Sequence, residues 1–420
     1  MSNADRPHAS EAAAASYRAL FAIREYRGLF LADVASQLGD QLASVAVAVL
    51  VFDRSHSPFL AALAYCLTYL PWLVGGPVLA ALADRLPPRR VLIGADVTRA
   101  VLIGVATLPG LPLPALAFLV LAAAMLGPAF RAARSGLVSQ ILDNDAYSLS
   151  MSVQEVLSQS AQIVGFVVGG ALVALFTAQG ALALDAVSFA ISALLLWRCL
   201  VRRDSAKSRE SKTTLVADTL EGLKIVAADP RLRRPLLLAV VGAAYVIVPE
   251  SVAPAYADQL GGGAITVGML MASVALGTVV GAVAIARFFP RHTRERLMTP
   301  VALVGTLPLM AIAFHPGLVV SLCLLTVAGA CTAYNVPANA AFAAAVPAKA
   351  RSRAFGIAVT AIMGGQVFGI GLGGGVADLF GADTAIALAG ATGLVLLLLL
   401  QLDGRRSTAR LPVAEFAPAS

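Results

Sequence analysis

The sequence predicts an all-α polytopic membrane protein with twelve transmembrane helices in two pseudo-symmetric six-helix bundles. Three observations predict it. Of 420 residues, 59% are hydrophobic and 13% charged, against about 25% charged in a soluble domain. Mean hydropathy is +0.82. Apolar runs of roughly 20 residues recur along the whole chain, the length a helix needs to cross a bilayer. The third observation is an internal repeat. QIVGFVVGGALVALF (162–176) aligns without gaps on QVFGIGLGGGVADLF (366–380), matching Gln, three Gly, Leu and Phe in register.

The order of elements follows from the apolar runs. Residues 1–27 form a tail without the short basic–apolar–small pattern of a cleaved signal peptide, and are expected to be retained. Candidate spans then run over 28–52, 58–83, 90–108, 113–134, 147–175 and 180–201, a bundle at 28–201. Residues 202–233 are the one long polar segment between spans. Within it Val216, Leu220, Leu223 and Ala227 share a helical face, which suits a helix lying on the membrane surface. The second bundle, 234–402, holds spans at 234–257, 264–289, 297–314, 316–342, 352–376 and 382–402, before a tail at 403–420.

Charge placement sets the expected orientation. Of 31 Lys and Arg, all but Arg54 and Arg99 fall on one side of this arrangement: the tails, the central segment, the 2–3, 8–9 and 10–11 loops, and the end of span 4 at Arg131 and Arg134. The positive-inside rule puts that side, with both termini, in the cytoplasm. The net charge of +7 therefore reflects topology and argues against a nucleic-acid partner. Cys66, Cys199, Cys323 and Cys331 lie in apolar runs without metal-ligand spacing. No metal or cofactor is expected. His8, His56, His292 and His315 are scattered over tails and loops, and no phosphate-binding loop motif occurs, so neither an enzyme nor an ATP-driven pump is indicated. A channel or scaffold would not need titratable residues beside a gating-type loop.

Polar residues inside the spans are the candidate functional groups. A carboxylate at the bilayer centre costs roughly 2.5–3.5 kcal/mol on insertion scales, so such groups face protein or a water-filled cavity. In span 1, Asp33, Gln37, Asp40 and Ser44 share one helical face. Span 7, the repeat partner of span 1, carries Glu250. Asp33, Asp40 and Glu250 are the proton-coupling candidates; each is alternatively a hydrogen-bonded packing group. Gln37, Ser44, Glu155, Gln159, Gln162, Asn335 and Asn339 are cavity-lining candidates. Asp96 and Arg99, three apart, are read as mutually neutralising, and Asp185 as structural. Gly165, Gly169 and Gly170, with Gly369, Gly373 and Gly374, permit close helix contact.

The first cytoplasmic loop reads GGPVLAALADRLPPRRVL (75–92). Asp84-Arg85-x-x-x-Arg89-Arg90 resembles the loop signature between helices 2 and 3 of the Major Facilitator Superfamily, with Ala80 and Pro87 at two positions where that signature has Gly. Gly165-Phe166-x-x-Gly169-Gly170 is similar to the helix 5 motif of that superfamily's drug/proton antiporters, with Phe where Pro is expected. SQLGD (36–40), RAARSGLVSQIL (131–142) and DAVSFAISAL (185–194) resemble the bacterial branch of macrolide-efflux-like and siderophore-exporter-like proteins. The mid-helix 4 arginine motif of proton antiporters has no match where span 4 ends at 134.

The resemblance implies a monomeric secondary transporter in the bacterial inner membrane. It would export a small amphipathic or cationic molecule by alternating access, coupled to proton antiport; the alternative is a proton-coupled uptake symporter. Protons, the cargo and membrane lipids are the expected partners. The loop Asp84, Arg85, Arg89 and Arg90 is the expected gate. A carboxylate at Asp84 suits the free N–H groups at the start of helix 11, near Arg351–Phe355, and the arginines suit acidic groups or lipid headgroups.

Overall fold

The computed structural model describes residues 17–74, 86–203, 223–224, 226–347 and 351–409. Asp84, Arg85, Ala80 and most of the central segment, with Val216 and Leu220, lie outside the described residues. The described elements are helical. We label them α1 (Arg24–Ser55), α2 (Pro58–Cys66, resuming as Leu70–Val74), α3 (Pro88–Ala106) and α4 (Leu113–Ala124, resuming as Gly127–Ile141). A continuous assignment over Asn144–Cys199 breaks at Thr177 (φ 68°, ψ 166°) into α5 (144–176) and α6 (178–199). In the second half come α7 (Pro230–Val246, Val248–Ser251 and Ala253–Gln259), α8 (Ala264–Phe288) and α9 (Arg291–Val304, resuming as Leu307–Ala311). They are followed by α10 (Leu318–Cys331, resuming as Asn335–Ala345), α11 (Arg351–Phe380) and α12 (Ala382–Ala409).

Among the described residues, nine stretches are long and apolar enough to span a membrane, one of them 145–199. That stretch is two spans, because the chain reverses at Thr177. Gly165 and Gly169 of α5 meet Gln41 and Leu42 of α1, whereas Cys199 of α6 meets Gly28 and Ser188 meets Gly39. α5 therefore runs parallel to α1, and α6 antiparallel. α3 spans 19 residues but carries Arg89, Arg90, Asp96 and Arg99, and α2 continues into residues that are not described.

The internal repeat reappears as packing. On α5, Gly165 and Gly169 lie against α1, and Gly170 against Ala264 and Gly268 of α8. On α11, Gly369 and Gly373 lie against Ala244 and Val248 of α7, and Gly374 against Ala62 and Phe59 of α2. Each repeat thus uses two glycines to seat on the first helix of its own half and a third to meet a helix of the other half. A side chain at any of them would sit on a neighbouring backbone or Cβ.

These approaches are polarised along the helices. We call proximal the face where α1 begins and α12 ends, and distal the face of the α1–α2 and α11–α12 turns at His56 and Gly381. The α5–α8 and α2–α11 approaches lie toward the distal face, and Leu73 of α2 meets Gly364 of α11 near mid-depth. The face of α5 that carries Phe166 and Gly170 continues toward the proximal side as Gln162, Gln159 and the exposed Glu155. Among the described residues, the close glycine approaches between the halves thus lie from mid-depth toward the distal face.

Gly369→Val should lower the thermal midpoint, costing about 1–3 kcal/mol, because the added carbons meet the Ala244 carbonyl. Gly371→Ala, two residues on with nothing within 4 Å, should hold or raise it, since Ala is the better helix former. Thermal unfolding in one detergent distinguishes the two.

Candidate functional site

The polar stripe of α1 faces into the N-terminal half. Asp33 is buried and forms an ion pair with the Nε of Arg134 on α4. Nη2 of Arg134 donates to Oε1 of Gln154 on α5 at 2.5 Å. Three helices are therefore tied at one level. This corrects the expected end of span 4 at residue 134. α4 runs on to Ile141, so Arg131 and Arg134 lie inside the helix, not at its end. Their charges marked a boundary in the sequence, but Asp33 lets the helix keep them within the span.

A second matched group sits beside the first. Asp96 of α3 accepts from the Ser192 hydroxyl of α6 at 2.5 Å, and Arg99 Nη1 lies 3.8 Å from its other oxygen. Arg99 also donates to the Ala123 carbonyl at 3.2 Å and lies over the rings of Phe130 and Phe189 at 5.6 and 5.3 Å. The reading of Asp96 and Arg99 as neighbours is consistent with this geometry; the Ser192 bond depends on how α3 and α6 meet.

Asp40 differs from both. It sits midway along α1, is exposed, and lies within electrostatic reach of Arg99 and Arg131. With Ser44, Tyr65, Thr68, Asp185 and Phe189 it lines a cavity of about 60 Å³, room for a few waters at the roughly 10–15 Å³ each requires. The lining comes from α1, α2, α3, α4 and α6 alone. The cavity at Asp40 is thus inside the N-terminal bundle and not between the halves. Asp185, read as structural, faces this same cavity and is bonded to Ser188 at 3.2 Å. Arg131 is exposed too, with its guanidinium 4.3 Å from the centre of the Trp72 ring.

Glu250 lies in the middle piece of α7, between breaks at Ile247 and Val252. It is buried and accepts a hydrogen bond from the Tyr65 hydroxyl of α2 at 2.8 Å, and the Tyr65 and Tyr69 hydroxyls are 3.2 Å apart. This bond crosses from one half to the other, and Tyr65 also lines the cavity of Asp40.

The remaining predicted residues are dispersed. Gln37 is half-buried on the α1 stripe. Gln159 donates to Glu155 at 3.1 Å on the proximal part of α5. Gln162, Asn335 and Asn339 do not line the Asp40 cavity. Arg89 donates to the Trp197 carbonyl at 2.6 Å, fastening α3 to α6, and Arg90 is exposed. Asp84 and Arg85, the rest of that loop, are not described. Sequence reasoning missed Arg134, Trp72 and Tyr65. One signal was available for the first: Asp33, inside a span, requires a cation, and Arg131 and Arg134 were the basic residues nearest the membrane on another helix.

Two matched helical bundles, with paired charges inside one bundle and hydrogen bonds across the interface, are the architecture of the Major Facilitator Superfamily. The comparisons agree. A family profile described as "Transmembrane secretion effector" matches residues 15–416, and the chain belongs to that family. It is 28% identical over 218 residues to the Uncharacterized MFS-type transporter YfiS of Bacillus subtilis (strain 168), covering 51% of this chain and 52% of that protein. The chain thus spans about half the length of this relative. It is 27% identical over 317 residues to the Multidrug efflux pump Tap of Mycobacterium tuberculosis (strain ATCC 25618 / H37Rv), covering 72% and 74% of the two chains. Among solved structures, the nucleoside transporter NupG superposes with a TM-score of 0.70 at 13% identity, over 89% of this chain and 98% of that one. A bacterial homologue of the human lysosomal transporter Spinster, titled inward-facing and unoccupied, gives 0.68 at 14%, over 94% and 99%. At such identities the likeness concerns the fold.

Removing one member of the buried Asp33–Arg134 pair leaves an uncompensated charge, at a cost of about 3–5 kcal/mol. Arg134→Ala should therefore lower the thermal midpoint strongly. Adding Asp33→Asn to Arg134→Ala should recover much of the loss; a double variant as unstable as the single one would show that the pair is not what stabilises this level.

Proposed function

We propose that the protein is a secondary active exporter of a small amphipathic or cationic molecule, driven by proton antiport through Asp40. The proximal face is cytoplasmic in this reading, because the basic residues gather there. The observation that carries it is the contrast among the buried acids. Asp33 is matched by Arg134 and Asp96 by Arg99; Asp185 lines the cavity of Asp40 but is buried against Ser188, while Asp40 is exposed. Of the three coupling candidates, Asp33 is held in its ion pair and Glu250 is buried against Tyr65. Asp40 is the carboxylate that water and cargo can reach.

The chemistry follows from that position. A carboxylate in a low-dielectric bundle gains a proton or a cation, but holding both would leave excess charge. A cationic cargo arriving near Asp40 from the proximal side displaces the proton, and a proton arriving from the distal side displaces the cargo. Mutual exclusion at one acid is enough to make an antiporter. The similarity to a multidrug efflux pump supports export, as does the helix 5 motif. Tyr65 and Phe189 add aromatic surface beside the acid, which suits amphipathic cations.

The test is transport in reconstituted vesicles, with amphipathic cationic dyes as probes. Wild-type protein should accumulate dye against its gradient when the vesicle lumen is acidic. Asp40→Asn should reduce that accumulation at least about tenfold, one decade corresponding to about 1.4 kcal/mol, while energy-independent exchange persists. Gradient-driven accumulation at the wild-type level in Asp40→Asn would refute the assignment. Cells carrying the protein should also hold less dye than cells without it; more dye would favour the uptake symporter.

A further inference from the structure

The distal closure contains an ionic contact that the proposed coupling does not use. α2 begins at Ser57, its extended N-cap, followed by Pro58. Proline has no N–H, so Phe59 supplies the first free backbone donor of the helix. The Ser57 hydroxyl donates to Oδ1 of Asp378 at 2.6 Å, and the Phe59 N–H approaches the same oxygen at 3.4 Å. Ser57 Oγ meanwhile accepts from the Leu60 N–H at 3.3 Å. Asp378 belongs to α11, in the other half. A carboxylate of the C-terminal half thus receives the positive end of a helix of the N-terminal half.

The position of Asp378 in its own helix sharpens the point. It lies in the last turn of α11, which ends at Phe380 before Gly381 (φ +94°). An acid there faces the negative end of its own helix dipole, an unfavourable place. Local helix stability therefore gives no reason for it; the contact with α2 does.

We infer that Asp378 is the positioning residue that holds the distal entrance shut by capping α2 across the interface. It acts at one end of the α2–α11 pair. Separation of the halves at this end, on the distal side of the Leu73–Gly364 approach, breaks the cap. Asp378 is exposed, so its contact separates without stranding a charge in hydrocarbon. The cap biases the equilibrium rather than locking it. Tyr65–Glu250, deeper on the same interface, is independent of it.

The experiment uses native Cys66, which is buried and lies one helical turn from Ala62, the residue that packs on Gly374. Cys199, Cys323 and Cys331 are replaced by Ser, and the full chain is labelled from the distal side with a membrane-impermeant maleimide. Neither cargo nor gradient is present, so the result does not depend on proton coupling or on export. Asp378→Asn and Ser57→Ala should each speed labelling about three- to tenfold, the range of a charged cap at a helix end. Asp383→Asn should leave the rate unchanged; that carboxylate contacts His315, and its backbone N–H donates to the Gln259 side-chain oxygen, both within the C-terminal half. Labelling of Asp378→Asn at the parental rate, or equal acceleration by Asp383→Asn, would overturn the assignment. Should Asp378→Asn fail to fold, Ser57→Ala decides: a parental rate there overturns it as well.

Discussion

A charge inside a bilayer must be matched within reach of its own side chain, and the N-terminal half is arranged around that constraint. Asp33 draws Arg134 of α4 inward, and Arg134 in turn reaches Gln154 of α5. Asp96 takes Ser192 and stands beside Arg99. Gly39 seats α1 closely on Asp185 and Ser188 of α6. The consequence is a bundle whose interior is polar yet largely matched, with Asp40 and Asp185 left facing a cavity. In water such pairs would contribute little; in this setting breaking one is costly, because the remaining charge has nowhere to go.

The two halves share a scaffold but not a chemistry. The glycine triplets of α5 and α11 make equivalent contacts, two within their own half and one across. Small residues let backbones approach closely, which is how helices associate where no hydrophobic force separates them from lipid. The interior charges, by contrast, concentrate on one side of the interface. Among the described residues, Glu250 is the acid within the α7–α12 interior that bonds across to the other half. The duplicated frame is common to both halves, and the buried ion pairs belong to the N-terminal one. Breaks in α2 and α7 lie on either side of the Tyr65–Glu250 bond, so the helices are least regular where the halves exchange a polar contact.

Much of this was legible in the sequence. The fold class rested on apolar runs and on the repeat, both of which depend only on local composition. α8 falls within a residue of its expected bounds, at Ala264–Phe288. The shared face of Asp33, Gln37, Asp40 and Ser44 followed from helical periodicity alone. What periodicity could not supply was the partner. The end of span 4 was misplaced because two arginines read as a boundary, when a distant aspartate makes them tolerable inside. The location of the Asp40 cavity within one bundle, and the cavity-facing role of Asp185, depend on how five helices meet. Asp378 drew no reading from the sequence, because its partner Ser57 lies 321 residues away.

The account turns on Asp40 being the interior acid that exchanges its proton with the medium while Asp33 stays committed to Arg134. Infrared difference spectroscopy of the reconstituted protein, titrated through the neutral and mildly acidic range, reads this directly. A protonated-carboxyl band should appear on acidification in the wild type and in Asp33→Asn, and should be missing from Asp40→Asn. A band that survives in Asp40→Asn and disappears in Asp33→Asn would contradict it.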